Sequence, residues 1–454
     1  MQTTKLSQNK YIIYLQNNSY LLANYILIAV AFFIPISTTH IKRFFIMLLI
    51  LTLFTPNIKT KIKNVLLNPV IFSFVLYFLL NLFWIFIAKD SEHALFITKY
   101  SIEYLYPILI LIFIKREFIP IIISSFLLGV FIGEVVSYDI YFNFNIFDFI
   151  PYINPKASPA YPTPFMSHLN YGLFLAFSAG LLLQLFFKER SLLIKSLTLL
   201  FIFSLTTNLF INIGRSGYIL YIVSISTILY LEYKKTILKY IPLIILSFLS
   251  IFYLAYLYSP NFHNKVDQTL SSINKIYNNN DYMSSIGIRF LNYKTATELF
   301  QEKPIVGYGT GMHVDVLYER TKQKDEKLAK IIKNYSTTDS QYFDTALQFG
   351  LIGLIIFFSI FYHLYRYNYT DKYIKNISRL IIIVFLLYGL QTNFMYFANS
   401  SSILFIFFSS LVLTKSSLQE ESQRKNILIK FHLFDLFSLL LIYFIAFQVY
   451  RLFL

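Results

Sequence analysis

Two arginines stand where solubility alone does not explain a charge. Arg215 lies in Ile213-Gly214-Arg215-Ser216-Gly217, between two apolar runs that need their full length to cross a bilayer. A cation at that depth is costly unless paired; a phosphate-bearing lipid headgroup is one partner, and snorkelling to the interface is the alternative. Arg289 opens a helical pattern from Ile288 to Phe300, where a cation opposes the positive end of the helix dipole. Its role therefore points outside that helix, with a surface salt bridge as the simpler reading. Guanidinium groups grip phosphate oxygens bidentately, so both arginines suit an anionic ligand. His168, after Pro164-Phe165-Met166-Ser167, and His313, after a glycine turn, titrate near neutrality and suit general-base chemistry. A lone histidine also serves in a purely structural role.

The elements that position these residues are apolar. A hydrophobic fraction of 56% with only 14% charged residues leaves too little polar surface to cover a soluble protein of 454 residues. The mean hydropathy of +0.58 agrees, and the chain reads as an all-α polytopic membrane protein. Its 49 Phe and 37 Tyr suit sugar stacking, or reflect general residue usage. There is no cysteine, and no His, Cys and carboxylate cluster has metal-binding spacing, so neither a metal nor a cofactor is expected.

Apolar runs centre on 20–36, 43–56, 69–88, 98–114, 119–137, 168–187, 196–213, 217–232, 241–259, 346–365, 379–398, 401–414 and 433–454. They predict about twelve transmembrane helices and a possible thirteenth. The runs at 43–56 and 401–414 fall short of the roughly 20 residues a crossing needs. The polar start followed by Tyr20 to Ile36, with no small-residue cleavage site, predicts an uncleaved first span. With a cytoplasmic N-terminus, alternate loops hold Lys59, Lys61 and Lys63, then Lys115 and Arg116, then Lys188, Arg190 and Lys195, then Lys234, Lys235 and Lys239. Such loops collect more than half of the 39 basic residues, which accounts for the net charge of +16 without a nucleic-acid partner.

The only long hydrophilic stretch, 260–342, then faces outward, dividing the chain into membrane helices over 1–259, a loop over 260–342 and further membrane helices over 343–454. Val266, Leu270, Ile273 and Ile276 predict an amphipathic helix in this loop. A second helix from Ile288 to Phe300 ends at Lys303-Pro304. Gly307-Tyr308-Gly309-Thr310-Gly311 reads as a flexible turn, and as a phosphate cradle only weakly, because no strand precedes it. A third, charged helix is expected from Val314 to Lys333. The loop closes on Ser336-Thr337-Thr338-Asp339-Ser340-Gln341-Tyr342, which brings polar groups to the membrane boundary. Gly129 and Gly133 form a GxxxG pair that permits close helix packing.

Taken in order, Gly214-Arg215-Ser216-Gly217-Tyr218, Gly287-Ile288-Arg289-Phe290-Leu291-Asn292-Tyr293, Lys303-Pro304-Ile305-Val306-Gly307-Tyr308-Gly309-Thr310-Gly311, Asp339-Ser340-Gln341-Tyr342-Phe343 and Gly350-Leu351-Ile352-Gly353-Leu354 resemble the O-antigen ligase and polymerase family. The resemblance covers roughly residues 165–360. It implies a metal-independent, inverting glycosyltransferase of the bacterial inner membrane, with its active site facing the periplasm. The implied donor is a glycan on undecaprenyl pyrophosphate, and the implied ligase acceptor is lipid A-core oligosaccharide. Arg215 and Arg289 match the family arginines associated with the donor pyrophosphate.

One position departs from the family pattern. Where members usually carry a histidine that activates the acceptor hydroxyl, this chain has Asp339. By the resemblance, Asp339 takes the role as a carboxylate base, or His168 or His313 folds in to bind or activate substrate. A polymerase extending a lipid-linked glycan and a protein O-glycosylating enzyme share the donor chemistry. A lipid-linked glycan transporter is the alternative from a different class, and it calls for internal repeats and charges at mid-membrane.

Overall fold

The computed structural model describes residues 10–150, 152–279, 281–333, 337–395 and 399–414, so the apolar run at 433–454 lies outside the described residues. Among these residues helices are the repeating elements, and the long irregular connection over 143–167 holds one isolated β-bridge between Ser158 and Tyr161. The first half holds α1 (Lys10–Phe33), α2 (Thr38–Thr52), α3 (Ile58–Leu66), α4 (Pro69–Phe83), α5 (Ser91–Ser101), α6 (Tyr106–Phe113), α7 (Ile119–Phe142) and α8 (His168–Lys188). Next come α9 (Leu192–Ile211), α10 (Arg215–Tyr233) and α11 (Ile241–Tyr258). The hydrophilic stretch folds as α12 (Pro260–Asn279), α13 (Ser285–Glu302), α14 (His313–Lys324) and α15 (Glu326–Ile332). The last described helices are α16 (Gln341–Arg366), α17 (Lys372–Tyr388) and α18 (Ser400–Leu411).

Seven stretches among the described residues are long and apolar enough to cross a membrane: Pro69–Ile87, Ser91–Phe113, Arg116–Phe142, His168–Lys188, Leu192–Ile211, Ile241–Tyr258 and Gln341–Arg366. Helices suit that task because every backbone polar group is satisfied within the segment. The other runs expected within the described residues hold α1, α2, α10, α17 and α18, none of which is among these seven; α17 ends at Tyr388, and α2 with 15 residues and α18 with 12 are short for a crossing.

α8 is the central post. It is buried on all sides over most of its length, and α7, α9, α10 and α17 pack around it. Phe126 of α7, Phe177 of α8 and Phe408 of α18 interlock edge-on at centroid separations of 4.9 to 6.2 Å. Gly172 of α8 meets Gly217 of α10 backbone to backbone, so a side chain at either position collides with the other helix. Gly129 gives α7 its approach to the Phe32 carbonyl of α1, as the glycine pair in α7 suggests, whereas Gly133 only faces the Tyr171 ring.

Within the hydrophilic stretch the first two expected helices form, and α13 stops before Lys303-Pro304 as predicted. The expected third helix is two. Asp325 turns extended, with φ −154°, and its carboxylate takes the N–H groups of Lys327 and Leu328, so it caps α15 and does not continue α14.

The glycine-rich segment is a strap, not a cradle. Gly307, Gly309 and Gly311 all have positive φ, and Gly350 breaks α16 with φ 64° and ψ −153°, a region open in practice to glycine alone. At that break Pro304 O accepts from Leu351 N at 2.8 Å, while Tyr308 N and Gly309 N donate to Leu347 O and Gln348 O at 2.8 and 2.9 Å. The strap thus restores backbone bonds that the kink removes from the helix. We expect Gly350→Ala to lose about 1–3 kcal/mol of stability, read as a lower melting temperature in detergent. Gly133→Ala, whose added methyl meets only the Tyr171 ring at 3.7 Å, stays within about 1 kcal/mol of the parent. Equal melting of the Gly350 variant and the parent contradicts this account.

Candidate active site

The glycine contact between α8 and α10 brings the starts of both helices together. Gly214, the residue before α10, lies against the His168 carbonyl, and Arg215 is the first residue of α10. From there Arg215 reaches across to two hydrophilic helices. Its Nη1 donates to Thr269 Oγ1 of α12 at 2.9 Å, and its Nη2 donates to Ser285 Oγ of α13 at 2.7 Å. Both partners are neutral, and among the described residues Arg215 makes no ion pair.

Ser285, Arg289 and Tyr293 follow at four-residue steps and so share one face of α13. Arg289 Nε donates to Asp339 Oδ2 at 3.2 Å, in a pair that leaves 28% of the arginine side chain and 16% of the aspartate exposed. The pair is therefore sheltered but reachable. Positive charge from Lys265, Arg289 and Arg215 converges on His168, whose Nδ1 is 2.9 Å from the Tyr161 hydroxyl. Arg215 also lies within electrostatic reach of Arg289 and of Lys265.

Asp339 is held in an unusual backbone conformation, left-handed with φ 62°. Such geometry persists only where neighbours over-determine it. Tyr293 Oη donates to the Asp339 carbonyl at 3.0 Å and to Leu390 O at 2.7 Å, and burial pushes the Tyr293 hydroxyl up to about 12, which keeps it a donor at neutral pH. On the other side, Thr338 N donates to Asp344 Oδ1 at 2.8 Å, while Asn393 Nδ2 donates to Asp344 Oδ2 at 2.5 Å. Burial raises the Asp339 carboxyl above the ordinary carboxylate range; Arg289 pulls it back by charge and by hydrogen bond, and Asp344 adds to the rise.

Four of the residues singled out in the sequence, Arg215, Arg289, His168 and Asp339, thus meet at one place. His313 does not join them in the open part of the site. Its side chain is wholly buried, with Nε2 3.8 Å from Asp344 Oδ2, behind the turn that carries Asp339. Lys265, Ser285, Thr269, Tyr293 and Asp344 escaped sequence reasoning, although Ser285 and Tyr293 stand four residues either side of Arg289. Among the described residues, no group of three His, Cys, Asp or Glu side chains is placed to hold a metal ion. Chemically, the site offers clustered cations for an anion and one carboxylate of raised proton affinity beside them.

Residues 172–358 match the family model described as O-antigen ligase, a range that contains Arg215, Lys265, Arg289, Asp339 and Asp344. An uncharacterized protein of Haemophilus influenzae (strain ATCC 51907 / DSM 11121 / KW20 / Rd) is 27% identical over 208 residues, covering 44% of this chain. The match spans about half of that relative, 51% of its length.

Carboxyl titration by carbon NMR on detergent-purified protein tests the electrostatics of the pair. We expect Asp339 to titrate above an ordinary aspartate, and to move further up in Arg289→Met, which removes both effects that hold it down. A downward move contradicts the assignment.

Proposed function

Residues 172–358 belong to the O-antigen ligase family, and on that premise we propose that the protein is a membrane glycosyltransferase that moves a glycan from undecaprenyl pyrophosphate onto lipid A-core oligosaccharide. The observation that carries the reading is the Arg289–Asp339 pair at 3.2 Å beside Arg215, because it sets phosphate-binding cations next to a proton acceptor. Arg215 and Arg289 hold the donor pyrophosphate. Asp339 takes the proton of the acceptor hydroxyl as its oxygen attacks the anomeric carbon. The bond from that carbon to the phosphate oxygen breaks, and undecaprenyl pyrophosphate leaves with the electron pair. A single displacement of this kind inverts the anomeric centre, and in this reading the cations stabilise the leaving group without a metal.

The topology that fits is twelve inner-membrane spans with a cytoplasmic N-terminus, membrane helices over 1–259 and 343–454, and the segment 260–342 in the periplasm. The bias of Lys and Arg in alternate loops supports it. Donor and acceptor are both lipid-anchored, so a site where the hydrophilic helices meet the starts of α8 and α10 lets both reach it from the bilayer.

Silver-stained lipopolysaccharide from a deletion strain separates the two nearest activities: bare core marks loss of a ligase, and core bearing one repeat marks loss of a polymerase. We expect bare core. In transfer assays with purified protein, Arg289→Ala should fall about 10²–10³-fold and Asp339→Asn about 10²–10⁴-fold, with normal protein levels. The reaction needs the Asp339 carboxylate, so kcat/KM should drop as pH falls through its raised pKa, at higher pH than an ordinary aspartate would give. Full-length O-antigen on core in an Arg289→Ala strain sinks the assignment.

A further inference from the structure

α12 carries a third cation into the site. Its start is tied down: Ser259 Oγ donates to Phe210 O at 2.7 Å, and Asn261 Nδ2 donates to Ile211 O at 2.6 Å. Two turns later, Thr269 Oγ1 receives the Arg215 guanidinium at 2.9 Å. Asn261, Lys265 and Thr269 lie at four-residue steps, so one face of α12 spans the segment from Ile211 to Arg215. Lys265 sits at the middle of that face, half-buried, whereas Lys275 on the same helix is exposed. Its ammonium donates to the neutral Gln268 Oε1 at 3.0 Å, and Asp267, two residues further along α12, pairs with His263 at 3.2 Å. Among the described residues Lys265 makes no ion pair, and its charge bears on both His168 and Arg215.

We infer that Lys265 is a third phosphate-binding residue of this site, matched to the charge that appears on the leaving group as the glycan departs. The inference rests on the donor-site reading above. A pyrophosphate diester carries two negative charges, and the monoester that leaves carries up to three. Arg215, Arg289 and Lys265 supply three positive charges, of which Asp339 offsets one at rest. When the acceptor proton moves to Asp339, that offset disappears in the same step in which the phosphate gains its charge. Lys265 therefore contributes more to the transition state than to donor binding, and its loss acts on kcat more than on KM.

The test uses the full chain purified in detergent, with the glycan-bearing polyprenyl pyrophosphate as donor and a short polyprenyl pyrophosphate as competing monoester. We expect Lys265→Met to lower kcat about tenfold with KM within about twofold, and to weaken inhibition by the monoester about tenfold. Lys265→Arg should keep most activity and Lys275→Met all of it, with melting temperatures checked for each. Unchanged kcat in Lys265→Met, or equal loss of donor and monoester affinity, overturns the inference. Arg289→Ala in the same assay separates the two failures: if it transfers at the parent rate, the donor-site reading fails, and if it is dead while Lys265→Met is normal, only the role of Lys265 fails.

Discussion

The contact of Gly172 with Gly217 is the constraint from which the site follows. Two helices whose backbones touch there have their first turns side by side, so His168 and Arg215 are neighbours before any loop folds over them. No other pair of residue types allows that approach, since a single methyl on either helix strikes the opposing backbone. Phe126, Phe177 and Phe408 then fill the wider spaces around α8, so close glycine contacts and bulky aromatic rings divide the packing between them. Rigid helices place the arginine more accurately than a loop could, and the phosphate contact proposed for it needs that accuracy.

The hydrophilic helices add chemistry through spacing. On α12 the residues at 261, 265 and 269, and on α13 those at 285, 289 and 293, form two stripes, each of which gives Arg215 one hydroxyl partner, Thr269 and Ser285. One stripe brings Lys265; the other brings Arg289 and the Tyr293 hydroxyl that holds the Asp339 turn. The strap from Pro304 to Gly311 has a separate task. It locks the kinked α16, whose first turn presents Asp344 to the same Asp339 turn from behind.

Much of this was legible in the sequence, because apolar runs and four-residue periodicity are local signals. Seven of the expected spans, the amphipathic α12 and the end of α13 before Pro304 follow from them. Although snorkelling and a salt bridge also accounted for them, and Arg289 does pair with Asp339, Arg215 and Arg289 were visible through their depth and their place at a helix start. Lys265 was not, since a lysine on an amphipathic helix looks like any solvated charge until the partners of Asn261 and Thr269 show which way its face turns. The division of α14 from α15 was missed because the capping strength of Asp325 competes with a helical pattern that runs straight through it. The strap was equally hidden: alternating glycines announce positive φ but not the distant helix whose broken bonds they complete.

The aspartate at position 339 changes the electrostatics of the site and not only the identity of its base. A neutral histidine beside these cations would leave their mutual repulsion uncompensated until an anion arrived, whereas Asp339 neutralises Arg289 beforehand. That pairing would have a cost for the proposed donor, because a fixed negative charge also repels a phosphate. Burial acts in one direction, raising the proton affinity of Asp339 against the pull of Arg289; in the proposed reaction, protonation of that carboxylate would free Arg289 for the phosphate. On that proposal the counter-charge is present when the site is at rest and withdrawn in the step where full positive charge is needed. On the same proposal an aspartate here would tie proton transfer to charge stabilisation more tightly than a neutral base could, a physical reason for the departure from the family pattern to be tolerated.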